Sequence, residues 1–255
     1  MNSSILLLAR NGSSRLPRKL LRKVLGRPIL EYQIERLRRA KSINQIVLCT
    51  TPLPEDDELV ECARACGIEG FRGSADDVVE RMAQAARHFH VDVVVSIGGD
   101  DVLSDPVCTD TIVERLVQSG ADFAYCEGLP VGASPYGVTT AALERLLRTK
   151  TGGSDGWERY FQEGTMFRVE RIHSDNIRLC RPELRMTLDY AEDFEFFKLT
   201  FEALYPGKPD FSLQDVIELG DQRPDIRQLG QVRAQEWLNK WSAFDVTVEP
   251  KSSSA

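Results

Sequence analysis

Two periodicities alternate along the first half of the chain. Short apolar runs with the character of buried strands lie at Ile5 to Leu8, Gln45 to Thr50, Glu69 to Phe71, Val91 to Ile97 and Asp122 to Cys126. Between them, apolar side chains recur every three or four positions over Ile29 to Ala40, Glu55 to Cys66, Ala75 to Phe89 and Cys108 to Ser119, the spacing of amphipathic helices. Strands that alternate with helices predict parallel pairing through right-handed crossovers, and hence an α/β fold. Acidic or capping residues open two of the helices, at Asp57 to Glu61 and Ser74 to Asp77, and Gly67 and Gly120 stand where helices should end.

From 130 to 185 glycines and prolines break the pattern, leaving strand-like pieces at Thr165 to Val169 and Asn176 to Leu179. This stretch is expected to cover a site or to form an oligomer contact, and a homodimer is compatible with it. Helical spacing returns over Glu192 to Leu204 and Ser212 to Leu219. The polar end, Lys251 to Ala255, is expected to be disordered, leaving one domain over residues 1–250.

Composition narrows the class. A chain of 255 residues with 42% hydrophobic and 28% charged residues can bury a core without disulfide or metal staples. No apolar run approaches the ~20 residues of a membrane span. The N-terminal apolar run is too short for a signal peptide and its basic residues follow it, so the expected location is the cytoplasm, away from membranes. Six cysteines show no Cys-x-x-Cys spacing; Cys62 and Cys66, one helical turn apart among alanines, read as small core residues in a reducing compartment, not as a zinc site. His88 and His90 close a helix as surface residues.

The net charge of -7 conceals an asymmetry, because residues 1–41 carry eleven Lys and Arg against two Glu. A pI near 5.2 with its positive charge gathered at one end argues against nucleic acid and for a small polyanion. The candidate for holding it is the loop that follows the first strand, Ala9-Arg10-Asn11-Gly12-Ser13-Ser14-Arg15-Leu16-Pro17-Arg18-Lys19. Gly12 allows close approach of the backbone, Ser13 and Ser14 offer hydroxyls, and Arg10, Arg15 and Lys19 supply charge, as a phosphate clamp requires. Neither a P-loop nor a Gly-x-Gly-x-x-Gly pattern is present.

In a parallel sheet, ligands bind at the carboxyl ends of the strands, which directs attention to Gly98-Gly99-Asp100-Asp101 after the fourth strand. A triphosphate arrives with magnesium, a hard cation that takes carboxylate oxygens, and Asp100 at the strand tip is the natural first ligand. Adjacent residues on an extended tip diverge, so Asp101 is expected to point away. Asp189, at the end of a short strand in Arg185-Met186-Thr187-Leu188-Asp189, offers a second carboxylate. On spacing alone, Asp189 with Glu192 fits a helix cap and its capping-box partner better than a metal ligand.

Together these residues carry a resemblance. Ala9-Arg-x-x-Ser-x-Arg-Leu-Pro-x-Lys19 with Gly26-x-Pro28, Thr50-Thr51 with Glu55-Asp56-Asp57, Arg72-Gly73-Ser74 with Asp77-Val78 and Glu80-Arg81, Gly99-Asp100, and Thr187-Leu188-Asp189-Tyr190 with Glu192-Asp193 resemble the cytidylyltransferases of surface-sugar biosynthesis. The likeness is to the spore-coat polysaccharide type, related to the acylneuraminate and 3-deoxy-manno-octulosonate cytidylyltransferases, and runs from about residue 5 to about residue 230.

The resemblance implies a Rossmann-like nucleotide-diphospho-sugar transferase (GT-A-like) sandwich with a mainly parallel sheet. It also implies Mg²⁺ as cofactor held by Asp100 and Asp189, and CMP transfer from CTP to an acidic sugar or similar acidic acceptor for surface-glycan biosynthesis, with release of pyrophosphate. Arg15 and Lys19 would balance charge on the leaving pyrophosphate, and Leu8, Ala9, Arg10, Gly12, Ser13 and Ser74 would join them and Asp100 around the nucleotide. The chain departs from its relatives at Pro130-Val131-Gly132-Ala133-Ser134-Pro135-Tyr136 and Ser154-Asp155-Gly156-Trp157-Glu158-Arg159, where the acceptor should bind. Ser134, Tyr136, Arg159 and Arg185 are the candidates to line that pocket, with Trp157, like Tyr136, equally readable as a packing aromatic. Two alternatives stand beside this expectation: nucleotidyl transfer to a sugar-1-phosphate or phosphonate or from another nucleoside triphosphate, and a GT-A-type glycosyltransferase.

Overall fold

The computed structural model describes residues 1–243. The expected disorder at Lys251 to Ala255 and the domain end at 250 lie outside the described residues. Strand β1 (Ser3–Leu8) leads through the basic loop to a small hairpin, β2 (Lys23–Val24) and β3 (Arg27–Pro28), and on to helix α1 (Ile29–Leu37). There follow β4 (Gln45–Thr50), α2 (Asp57–Ala65), β5 (Glu69–Arg72), α3 (Val78–His88), β6 (Val93–Gly98), α4 (Pro106–Ser119) and β7 (Phe123–Glu127). The second half contributes β8 (Tyr136–Thr139), α5 (Thr140–Thr149), the short α6 (Arg159–Gln162), β9 (Val169–His173), α7 (Ala191–Leu204), α8 (Leu213–Gln222), α9 (Pro224–Gln231) and α10 (Ala234–Ser242).

The seven-stranded sheet runs β5-β4-β1-β6-β8-β7-β9. β1 pairs in parallel with β4 and β6, as β4 does with β5 and β7 with β9; β8 alone is antiparallel, between β6 and β7. The mainly parallel α/β sandwich is therefore the architecture observed. Strand β8 and helices α5, α9 and α10 add to the expected elements, and the strand expected near Thr165 to Val169 begins at Val169. Asn176 to Leu179 is not a strand, because the Asn176 side chain accepts from Arg178 N and starts a 3-10 turn at Ile177–Leu179. Arg185 to Asp189 is not a regular strand: it has one bridge, Val131 to Arg185, with further backbone bonds from Met186 N to Val131 O and from Leu188 N to Asp100 O.

Each central strand buries both faces by alternation. Ile5, Leu7, Ile46, Leu48, Val93, Val95 and Ile97 face a core shared with α1, α2, α4 and α7–α9. Leu6, Val47, Cys49 and Val94 face the opposite core, closed by α3, α5, Trp157, Tyr160, Phe161 and Phe167. Cys62 and Cys66 are half-buried on α2, at the margin of the first core and not inside it. Cys108 and Cys126 are joined by a disulfide that their spacing does not announce. Among the described residues no helix is long and apolar enough to cross a membrane.

Candidate active site

The basic loop leaves the sheet where β1 is flanked on both sides, with Ala9 N donating to Cys49 O at 3.1 Å and Gly99 N donating to Leu8 O at 2.7 Å. A Cβ on Gly99 would stand 2.6 Å from Leu20 Cδ1 and 3.3 Å from Leu8 O, so glycine lets the tip of β6 approach this loop without displacing the leucine. The loop is tied down by Asp56, which accepts from Asn11 N at 2.7 Å and from Thr51 N and its hydroxyl. Burial alone would raise the Asp56 carboxyl, but these bonds to its charged form hold its pKa below the ordinary value. Asp56 is a buried anchor for the clamp, and as part of an acidic run it gave no sign of that role.

The loop's cations turn inward onto two carboxylates. Lys19 Nζ lies 2.9 Å from Asp100 Oδ2 and 3.3 Å from Asp189 Oδ1, and Arg15 donates to that same Asp189 oxygen at 2.6 Å. Burial disfavours the Lys19 ammonium, yet the two carboxylates outweigh it and raise its pKa above the ordinary lysine value. The same pairing keeps Asp100, despite its burial, below the usual carboxylate range.

Asp189 is not a helix cap. Tyr190 holds the N-cap position of α7, and Asp193, not Glu192, is the capping-box residue, its Oδ2 accepting from both Asp189 N and Tyr190 N at 2.8 Å. Arg185, only 3% exposed, holds Asp193 at 2.6 Å and the second oxygen of Asp189 at 3.2 Å. Leu188 N donates to Asp100 O at 2.9 Å and so joins the two carboxylate-bearing segments through the backbone.

Asp101 does not point away. A tight turn, Asp101 N to Gly98 O at 3.0 Å, folds the tip back on itself. A Cβ on Gly98 would lie 2.9 Å from Asp101 Oδ2 and closer still to Asp100 Oδ1, so both carboxylates gather over Gly98. Burial, then Asp100 and Asp189, push the Asp101 carboxyl well above its ordinary pKa.

Two clefts meet here. The first, of about 320 Å³, is lined by Leu8, Ala9, Arg10, Gly12 to Arg15, Lys19, Ala75, Asp76, Arg81, Gly98 to Asp100, Trp157 and Asp189. Ser74 does not line it: its hydroxyl accepts from Asp77 N and its carbonyl from Arg81, which is itself in the wall. The second, of about 620 Å³, shares Arg10, Arg15, Asp100, Asp155 and Asp189 and extends past Asp101, Tyr125 to Gly132, Ser134, Tyr136 and Glu158.

Of the four acceptor candidates, Ser134 and Tyr136 lie in that wall. Arg159 and Arg185 do not: Arg159 pairs with Glu163 and covers Trp241, and Arg185 is spent on Asp189 and Asp193. Trp157 packs edge-on against Phe123, Tyr136 and Phe161 while reaching the first cleft.

The roof of the second cleft is α10, through Trp237, Leu238, Lys240 and Trp241. Trp237 and Trp241 stack at 6.2 Å, Trp241 Nε1 donates to Glu158 at 3.2 Å, and Tyr190 bonds Glu236 at 3.2 Å. The helix escaped sequence reading although Trp237 and Trp241, four positions apart, have the spacing of one helix face; nothing in that spacing points to a place in the site.

A divalent cation fits the carboxylate pair. One ammonium already reaches Asp100 and Asp189 together, so both offer hard oxygens to a common point, and no sulfur or imidazole competes. Among the described residues no group of three or more His, Cys, Asp or Glu forms a cage. Mg²⁺ is commonly held by one or two carboxylates plus substrate phosphates, so a pair suffices.

Comparison with known proteins shows the family. The family described as Cytidylyltransferase matches residues 4–198. The spore coat polysaccharide biosynthesis protein SpsF of Bacillus subtilis is 26% identical over 239 residues, covering 88% of this chain and 97% of that protein. A 3-deoxy-manno-octulosonate cytidylyltransferase of Anaeromyxobacter dehalogenans is 30% identical over 208 residues, covering 80% of this chain and 78% of that protein. The solved structure of a cytidylyltransferase from Leptospira borgpetersenii superposes with a TM-score of 0.83 at 29% identity, over 89% of this chain and 97% of that one. A basic loop facing two converging carboxylates at the mouth of a parallel sheet, matched by that family over most of its length, makes this chain a member of the cytidylyltransferase family, a CTP-dependent nucleotidyltransferase.

Proposed function

We propose that the protein transfers CMP from CTP to an acidic sugar for surface-glycan assembly, with Mg²⁺ as cofactor and release of pyrophosphate. The observation that carries this reading is the junction of two clefts at Asp100 and Asp189, one walled by the basic loop and the other by aromatic and acidic side chains. CTP lies in the first cleft, its base and ribose against the main chain of Leu8 and Ala9 beside Arg10, with Ser74 acting through its hold on Arg81. The backbone of Gly12 and Ser13 takes phosphate oxygens.

The acceptor hydroxyl passes its proton to water and its oxygen attacks the α-phosphorus, while the bond to the bridging oxygen breaks and pyrophosphate departs in line. Arg15 and Lys19 turn from the carboxylates to the β,γ-oxygens and balance the charge that grows there. Bound at Asp100 and Asp189, Mg²⁺ would polarise the α-phosphate and acidify the acceptor hydroxyl. No covalent enzyme intermediate is required.

The acceptor wall favours a polyhydroxylated acid over a dianionic phosphate. Asp101, Glu127, Asp155 and Glu158 are hydrogen-bond acceptors suited to hydroxyls, with Ser134 and Tyr136 beside them. Positive charge for one carboxylate comes from Arg10, Arg15 and Lys240 at the junction. The test is pyrophosphate release from each of the four nucleoside triphosphates against a panel of sugar acids, including 3-deoxy-manno-octulosonate and N-acetylneuraminate, with and without Mg²⁺. Turnover with CTP, a sugar acid and Mg²⁺ is expected; activity that consumes a sugar nucleotide, or prefers sugar phosphates, overturns the reading.

A further inference from the structure

Asp100 and Asp189 are paired with cations of the protein before a ligand arrives. Lys19 bridges Asp100 and Asp189, Arg15 sits on the same Asp189 oxygen as Lys19, and Arg185 holds the other. A lysine ammonium is a compact point charge, and between two carboxylates it fills the place where a divalent ion would touch both. Ion and ammonium cannot occupy that place together, since both need the space between the same two carboxylate oxygens and they repel each other at contact distance. Lys19 stands in the short turn Lys19–Leu21, and its buried side chain bonds Asp100 and Asp189 through the ammonium at its tip, which rotation about the four-carbon stem can redirect while the backbone stays in place.

We propose that Lys19 is an exchange residue. In the free enzyme it holds Asp100 and Asp189 together in the position of the metal. The triphosphate draws it away and thereby opens the carboxylate pair, so that nucleotide creates the metal site and the free enzyme has little affinity for the ion. The proposal rests on reading Asp100 and Asp189 as metal ligands, and goes beyond it by making Lys19 a competitor of the metal as well as a partner of the phosphates. Linkage demands a reciprocal effect: whatever factor CTP adds to metal affinity through this exchange, the metal adds to CTP affinity.

The experiment uses Mn²⁺ as the probe, titrated into the full chain without nucleotide and followed by the loss of the free-ion EPR signal. Lys19→Met and Lys19→Gln, each checked for folding by thermal denaturation, are expected to bind Mn²⁺ at least about 10-fold more tightly than wild type in the absence of CTP, a coupling of ordinary size. Their turnover falls at the same time, because the phosphates lose a cation. A folded Lys19 variant that binds Mn²⁺ no more tightly than wild type overturns the exchange.

Wild type supplies an independent check. The Lys19 ammonium resonance, assigned with Lys19→Gln, should leave its carboxylate-paired position when CTP is added without metal; an unmoved resonance also refutes the proposal. Asp100→Asn separates the two layers. If it leaves Mn²⁺ binding unchanged in the Lys19→Met background, the assignment of the metal ligands is at fault, and the exchange falls with it.

Discussion

The two clefts that meet at Asp100 and Asp189 are built on opposite plans. The cleft proposed for the nucleotide is made mainly of strand ends and the first loop, and the charges at its centre are mutually paired: Lys19 with Asp100 and Asp189, Arg15 with Asp189, Arg185 with Asp189 and Asp193. The acceptor side is made of connections and of α10, with carboxylates facing tyrosine and tryptophan rings across about 620 Å³. A polyanion with a metal must be met by fixed, opposed charges, which a rigid sheet edge holds well. A polyhydroxylated acceptor is met by shape and by hydrogen-bond acceptors, which variable connections can supply and change. On the proposed assignment of the clefts, the donor side of the junction is fixed by the sheet and the acceptor side is open to change in its connections.

Removing a carboxylate from the paired side gives the largest expected effect. Asp100→Asn keeps volume and polarity, and Lys19 still has Asp189, so the fold should survive. The turnover number should nevertheless fall roughly 10²–10³-fold, the usual cost of losing one electrostatic contact to the transition state. Steady-state pyrophosphate release with the folded variant checks this, and a fall of less than about 10-fold, under 1.4 kcal/mol, removes Asp100 from the centre of the chemistry.

Arg185 tests whether pairing also holds the structure together. Arg185→Met preserves bulk but strands Asp193 and weakens the setting of Asp189, and an uncompensated buried charge costs about 3–5 kcal/mol. Urea unfolding should show that loss at neutral pH. A cost within about 0.5 kcal/mol, that of an ordinary surface change, would mean that Asp193 finds another partner.

The same contrast explains what could be read from sequence. The nucleotide side was legible because its parts are local: an apolar run ending at Leu8, a basic loop within eleven residues, and a Gly-Gly-Asp tip each carry their chemistry in consecutive positions. What failed there was orientation. Asp101 follows Asp100 in a turn and not in a strand, and the Asp189 segment is capped from Asp193, so alternation and the capping-box spacing both misled. The acceptor side was largely illegible because its wall joins residues 125–136, 155–162 and 237–241, which no periodicity connects. Arg159 and Arg185 show the limit most clearly, since a sequence lists an arginine's charge but not the carboxylate that has already claimed it.

On the acceptor side, Trp241→Ala should split the kinetic constants. The substitution removes the stack on Trp237, the bond to Glu158 and the cover over Arg159, none of which touches the nucleotide cleft. With the sugar acid that supports turnover, its KM should rise about 10-fold, equivalent to about 1.4 kcal/mol, while the KM for CTP stays unchanged. An equal rise in both would make α10 a brace for the whole junction and dissolve the contrast between the clefts.

The smallest effect, and the one whose sign separates the clefts, is in pH dependence. Burial raises the Glu158 carboxyl above its ordinary pKa, and the bonds from Trp241 and the nearby Arg159 offset this only in part. The folded protein thus holds this proton more tightly than the unfolded chain, so the group's contribution to stability is fullest below the unfolded value and declines as pH rises through the folded one. Asp100 behaves oppositely: held below its unfolded value, it contributes above that value and loses the contribution as pH falls through the folded one. Glu158→Gln keeps an oxygen for Trp241 Nε1 without the charge. Its stability relative to wild type should therefore improve between acidic and neutral pH, by about 1 kcal/mol or less, in urea titrations across that range. A variant that loses ground as pH rises would show that ionised Glu158 is stabilised where it stands, and the acceptor wall would then be as fully paired as the nucleotide side.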